Sequence, residues 1–164
     1  MVIAIVLLVL LLLVLSFSFV LINGAPYLPT LKRQINAAID LAKLKPGDTI
    51  LELGCGDGRV LIAAAKAGLR GVGYELNPLM YLIARIRVRP YKDQIQVRWG
   101  DFWHKDWPKA ELVYVFLLPR LMSRLEQNIL ARPDAPRKVI SFAFEFADRK
   151  PAAEKDGVFL YRLN

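Results

Sequence analysis

The order of apolar and polar positions divides the chain in two. From Val2 to Ile22 only Ser16 and Ser18 are polar and no residue is charged. Such a run can cross a hydrocarbon core of about 30 Å as a helix. After Gly24 the apolar residues come in short groups separated by charges, glycines and prolines. Leu31, Ile35, Ala38, Ile39 and Ala42 keep a helical period. They predict a helix over Leu31–Leu44, capped by Thr30 and stopped by Lys45-Pro46-Gly47-Asp48. Runs of strand length follow at Thr49–Leu53, Arg70–Glu75, Ile95–Trp99, Glu111–Leu117, Lys138–Phe146 and Gly157–Leu163. Helical patterns occupy Arg59–Ala67, Asn77-Pro78 to Arg87, and Arg120–Leu130.

Alternation at this spacing predicts an α/β fold: a Rossmann-like, mostly parallel sheet of about six strands with helices on both faces. One N-terminal transmembrane helix precedes it. The expected division is an anchor over residues 1–23 and one domain over residues 24–164, joined by a short linker from Asn23 to Pro29. A cleaved signal peptide would need a basic start, an apolar core of roughly 7–15 residues and a small-x-small site. No Lys or Arg precedes this run, and Ile22-Asn23-Gly24-Ala25 is a poor cleavage site. The first charges, Lys32, Arg33, Lys43 and Lys45, all follow the span. The positive-inside rule therefore predicts a domain on the cytoplasmic side of a membrane.

Charge sharpens this picture. All 23 Lys and Arg and all 15 Asp and Glu lie after the apolar run, giving the domain its net charge of +8. A basic domain held near a bilayer is attracted to anionic headgroups. Nucleic acid is the other polyanion to consider, but no compact Lys/Arg cluster with interleaved aromatics supports it. The lone cysteine, Cys55, excludes an internal disulfide and suits a reducing compartment.

The candidate chemistry begins where the first strand ends. Glu52-Leu53-Gly54-Cys55-Gly56-Asp57-Gly58 places three glycines at alternate positions between a strand and a helix. That arrangement lets bare backbone and a helix N-terminus approach a small polar ligand. Dinucleotide-binding turns read G-x-G-x-x-G, whereas this one reads G-x-G-x-G after an acidic residue. Glu75 closes the second strand 21 positions after Gly54, where a carboxylate can accept both hydroxyls of a ribose. Gly100-Asp101-Phe102 follows the third strand, with a carboxylate for an exocyclic amine and an aromatic ring beside a base. Gly-Asp is also ordinary turn chemistry.

Together these motifs resemble the class I (seven-β-strand) S-adenosylmethionine (SAM)-dependent methyltransferases. The apolar run, Pro26-Tyr27-Leu28-Pro29-Thr30, Leu-Gly-Cys-Gly-Asp-Gly-Arg and Gly73-Tyr74-Glu75-Leu76-Asn77-Pro78 are similar to a narrower group. These are the small membrane-anchored protein-lysine methyltransferases, whose mitochondrial members modify the ATP synthase c-subunit and the adenine nucleotide translocase. The resemblance implies that Gly54, Gly56 and Gly58 hold the methionine part of SAM, with Glu52 near its amino group. It implies Glu75 at the ribose, Asp101 and Phe102 at the adenine, and Tyr27 and Thr30 closing over the cofactor. The implied partners are a membrane and a protein substrate, with a lipid or small lipophilic acceptor as the other reading. A SAM-fold interaction factor without activity is the reading from outside enzymology.

Two departures from the family pattern bear on the acceptor. Phe116-Leu117-Leu118-Pro119 stands where many amine and base methyltransferases carry Asp/Asn-Pro-Pro-Tyr, which speaks against an adenine or cytosine target. The chain also ends one strand early, so an incomplete terminal hairpin is expected. Glu145, in Phe144-Glu145-Phe146, is the candidate general base for a lysine acceptor, against the reading of an exposed edge residue. His104 has no Cys or His partner, so no metal site is expected. Trp99, Trp103 and Trp107 read as packing or as an acceptor wall, and Asp57 as shaping the glycine loop. Arg85, Arg87 and Arg89 read as a solvated or headgroup-facing helix end.

Overall fold

A computed structural model of the chain describes residues 1–8, 10, 11, 14 and 28–163. Residues 2–8, 10, 11 and 14 are helical, and residues 9, 12, 13 and 15–23 of the expected anchor lie outside the described residues. Among the described residues, no helix is long and apolar enough to cross a membrane.

The domain alternates as its periodicity predicts: α1 (Lys32–Ala42), β1 (Thr49–Leu53), α2 (Arg59–Lys66), β2 (Arg70–Glu75), α3 (Pro78–Arg87), β3 (Ile95–Trp99), β4 (Leu112–Val115), α4 (Pro119–Ala131), β5 (Lys138–Phe142), β6 (Ala153–Lys155) and β7 (Val158–Arg162). The strands form one sheet of order β3-β2-β1-β4-β5-β7-β6. β1 to β5 are parallel, and β7 runs antiparallel between β5 and β6. The order reverses between β1 and β4, and open α/β sheets bind ligands beyond the strand ends at such a reversal.

The sheet has seven strands rather than six, and the terminal hairpin is complete. The overlooked strand, β6, reads Ala-Glu-Lys and is largely exposed, so no apolar alternation marks it. Its signal is the turn. Asp156 and Gly157 both have positive φ (56° and 72°), as the Asp-Gly turn of a two-residue hairpin requires. Two other expectations are corrected. Leu31, not Thr30, caps α1 and makes no side-chain bond to it. β5 ends at Phe142 rather than Phe146, because Ala143 takes a left-handed φ of 68° and breaks the extended run.

Two apolar clusters cover the two faces. α1 and α2 pack Ile35, Ala38, Leu61 and Ala64 over Ile50, Leu112 and Ile140. On the other face α4 packs Met122, Leu125 and Ile129 over Leu51, Val113 and Val139. The β3–β4 connection has only a short 3₁₀ turn, Phe102–His104, in place of a helix. It is pinned by side chains: the Trp107 indole N–H donates to the Phe102 carbonyl (2.9 Å), and the Tyr74 hydroxyl donates to the Asp106 carbonyl (2.7 Å). Arg124 and Arg132 lie over the Trp103 and Trp107 rings, at 4.3 and 4.5 Å from the ring centroids. Both tryptophans pack here and Trp103 also lines the cleft described below, while Trp99 remains exposed.

α2 approaches β2 so closely that β2 needs glycine. A Cβ at Gly73 would lie 2.6 Å from Leu61 Cδ1 and 2.8 Å from Cys55 Cβ. Gly73→Ala is therefore expected to overpack this contact and lower stability by about 1–3 kcal/mol. A thermal melt coinciding with that of the unaltered protein would show that α2 can retreat without penalty.

Candidate functional site

The ends of β1, β2, β3 and β4 surround one cleft, which the glycine turn, Glu75-Leu76-Asn77, Asp101-Phe102 and Phe116-Leu117-Leu118 all line. Strand register explains the convergence. Glu52 sits opposite Gly73 on one side and Tyr114 on the other, and Glu75 sits opposite Trp99.

The alternate glycines have a conformational cause. Gly54, Gly56 and Gly58 have φ of 85°, 53° and 77°, with an ordinary residue between each pair. Left-handed backbone at every second position is what fixes the G-x-G-x-G spacing. The Gly54 and Cys55 N–H groups both donate to the Tyr74 carbonyl at 2.9 Å, which hangs the turn on the end of β2. A Cβ at Gly54 would meet nothing within 4 Å, so the turn leaves open space on that side.

Glu75 fastens the same turn. One carboxylate oxygen accepts the Gly56 N–H at 2.7 Å, and the other accepts the Asn77 N–H at 2.8 Å. Burial raises its pKa, and these backbone donors oppose the rise. Asn77 in turn caps α3, accepting from the Leu79 and Met80 N–H groups.

Glu52 is the most demanding group in the cleft. It is fully buried, and its Oε2 has no hydrogen-bond partner. Burial, reinforced by the neighbouring Glu75 charge, lifts its pKa well above the ordinary value, with a backbone hydrogen bond at Leu61 opposing. The same burial and the two carboxylates push the Cys55 thiol up, which removes it as a nucleophile. A desolvated acceptor facing a cleft is matched by a cationic donor.

Thr30 is buried over the turn, its hydroxyl 3.4 Å from that of Tyr114. Its carbonyl accepts from the Arg59 guanidinium at 3.2 Å. Arg59 also pairs with Asp57 at 2.8 Å, and Arg87 pairs with the same carboxylate. Asp57 thereby ties the glycine turn to the end of α3 and to the segment crossing it. Arg87 is an exposed helix end, as expected, that also ties back to the glycine turn. Tyr27 lies outside the described residues.

Asp101 Oδ1 accepts the Trp103 N–H at 3.0 Å and its Oδ2 is 3.0 Å from His104 Nδ1, while Phe102 is buried against Trp103. The structure thus brings Thr30, Glu52, the glycine turn, Glu75, Asp101 and Phe102 to one cleft. It does not bring Glu145, whose side chain is exposed beyond the end of β5 while Phe144 lines the cleft. Sequence reasoning missed Leu76, Asn77 and Met80 as lining residues. Asn77-Pro78 was legible only as a helix start. Among the described residues, no group of three or more His, Cys, Asp or Glu side chains could hold a metal ion.

The cleft divides chemically. The polar side chains gather on the β1, β2 and β3 side, whereas Phe116, Leu117, Leu118, Leu121 and Phe144 make the β4 side wholly apolar. One side suits a polar cofactor and the other a desolvated acceptor.

Comparison with known proteins agrees with this geometry. The adenine nucleotide translocase lysine N-methyltransferase of Mus musculus is 32% identical over 131 residues, which cover 78% of this chain and 57% of that protein. A protein-lysine N-methyltransferase of Saccharolobus islandicus (strain REY15A) is 29% identical over 130 residues, covering 77% of this chain and 81% of that one. The chain spans only a little over half the length of the first of these. Among solved structures, an RNA methyltransferase from Salinibacter ruber in complex with S-adenosyl-L-homocysteine is similar with a TM-score of 0.73 at 29% identity. The match covers 83% of this chain and 92% of that one. A family profile, that of the ANTKMT methyltransferase domain, matches residues 52–153. By its fold, its cleft and this match over more than half its length, the chain belongs to the ANTKMT methyltransferase domain family.

Proposed function

We propose that the protein is a SAM-dependent protein-lysine N-methyltransferase, held to a membrane by its N-terminal apolar run with its domain on the cytoplasmic side. The observation that carries this reading is the unpartnered, buried Glu52 carboxylate beside three left-handed glycines. That pair fits the amino-acid end of SAM, an ammonium and a carboxylate side by side. Glu52 would meet the ammonium, the Cβ-free glycine turn would let the carboxylate approach the N-terminus of α2, and Glu75 would meet the ribose and Asp101 with Phe102 the adenine. SAM, when bound, supplies a methyl group on a sulfonium that is already a good leaving group.

The chain's own contribution is placement and exclusion of water. The apolar β4 side disfavours a charged amine, so a lysine entering there loses its proton more readily. Among the described residues, no amide or hydroxyl on that side is available to read a base edge. Supporting evidence comes from the relatives named for lysine methylation. The same apolar walls would admit a lipid or small lipophilic acceptor, and the Salinibacter relative is named for RNA.

Calorimetric titration of the whole chain in detergent tests the cofactor. SAM and S-adenosylhomocysteine should bind and NAD should not; no heat from either methyl-cycle ligand would end the reading. Labelled SAM, incubated with membrane fractions that are then resolved into protein, lipid and RNA, tests the acceptor. Label in protein is expected, and label confined to lipid or RNA would refute the lysine assignment.

A further inference from the structure

α3 carries an apolar stripe that is exposed among the described residues. Leu79, Leu82 and Ile86, spaced to share one helix face, are 43%, 53% and 71% exposed, opposite the buried Ala84. Trp99, at the end of the edge strand β3, is 60% exposed. It shares a hollow with Leu76 and Pro78, and its indole N–H donates to the Leu76 carbonyl at 3.1 Å. The apolar surface therefore continues from the tryptophan across the start of α3 and along its outer face.

Charge says what this surface meets. Between Pro78 and Lys92 the chain holds Arg85, Arg87, Arg89 and Lys92 and no acidic residue. Arg85 and Arg89 are exposed, and Arg85 leans on the Tyr81 ring. An apolar ridge flanked by long cations, with a tryptophan at one end, is the pattern of a helix lying in a bilayer interface. There the ridge sits among acyl chains and the guanidinium groups reach the headgroups.

We propose that the outer face of α3, with Trp99, docks on an anionic lipid surface and lays the domain down on the bilayer. Leu76 and Asp101 line both the cofactor cleft and the Trp99 hollow. Docking therefore sets the cleft mouth beside the headgroup layer. This shares the anchor with the proposed function but not the methyl transfer.

Because the chain's one cysteine, Cys55, is buried, spin labels can be carried singly by Leu82→Cys and, beyond the C-terminal end of α2, by Ala67→Cys. The whole chain is reconstituted in vesicles of phosphatidylcholine with or without phosphatidylserine. Labels are read by collision with oxygen, which favours lipid, and with a water-soluble nickel chelate. Expected is a loss of nickel access and a gain of oxygen access at position 82 in the anionic vesicles, reversed by high salt, with position 67 unchanged. Flotation with the vesicles but water-like access at position 82 overturns the docking alone. Failure to float at all overturns the anchor as well. Protection of position 82 in detergent without lipid assigns the stripe to the chain's own apolar run. Dipolar broadening between labels assigns it to a second copy. Either result overturns lipid docking.

Discussion

Glu75→Ala is expected to weaken S-adenosylhomocysteine binding by about a hundredfold or more, while the protein still folds. Two losses combine. The first is direct: a ribose has two hydroxyls to donate, and hydrogen bonds to a charged acceptor are each worth about 1.5–3 kcal/mol. The second is architectural, because the same two oxygens hold the Gly56 and Asn77 N–H groups at 2.7 and 2.8 Å. Without them the glycine turn loses one of its two ties to the end of β2. The fold survives, since the turn also hangs from the Tyr74 carbonyl and the sheet register does not involve the side chain. Glu75→Gln separates the two parts. One amide oxygen can still receive a backbone N–H, so the turn is better kept, but the charge that a ribose would meet is gone. Calorimetric titration gives the affinities, and near-UV circular dichroism checks the fold. Unchanged affinity in Glu75→Ala would mean that the ligand does not reach the end of β2.

Much of this site was legible because its geometry is local. Three left-handed glycines leave a direct trace, since few other residues tolerate positive φ at alternate positions. Acidic residues at successive strand ends could be placed once the strands were placed. What could not be read depended on long-range contact. Thr30 looked like a helix cap, yet it packs on Tyr114, 84 positions away. Arg87 is the solvated end it looked like, but its reach to Asp57, 30 positions back, left no mark in the sequence. Glu145 looked well placed on an extended run, and the left-handed Ala143 leaves it exposed. The missing seventh strand was an error of another kind. Asp156-Gly157 announced the hairpin, but a three-residue edge strand has no apolar alternation to confirm it.

The asymmetry of the two faces follows from the same reasoning. Helical connections cover one face with α1 and α2, whereas the other has α4 and two helix-free crossovers. Aromatic and arginine contacts around Trp103 and Trp107 substitute there for a packed helix. That loop also positions Asp101 and Phe102, so structural pinning and ligand contact are joined in one segment.

Glu52→Gln should make the ligand-free protein more stable at neutral pH and nearly incapable of binding. The buried carboxylate has an unpartnered oxygen, and its charged form is disfavoured by burial and by Glu75. Its folded pKa therefore stands well above the ordinary 4.5 of an unfolded glutamate. The folded protein holds this proton more tightly than the unfolded chain. The resulting stability is fully present below about pH 4.5 and is lost as pH rises through the folded pKa. An isosteric neutral amide removes that decline. An unsatisfied buried polar group costs about 1–3 kcal/mol, and recovering part of it should raise the melting temperature at pH 7 by a few degrees. Binding moves the other way. The ammonium that Glu52 would receive loses its counter-charge in a desolvated pocket, a change worth about 2–5 kcal/mol, or roughly 30-fold to several thousandfold in affinity. Melting curves from pH 4 to 9 and titrations with S-adenosylhomocysteine measure both. A variant less stable than the parent at pH 7 would show that the carboxylate is satisfied within the protein. A variant that is more stable yet binds normally would show that Glu52 faces no cation. The two effects must appear together, because one desolvated charge causes both.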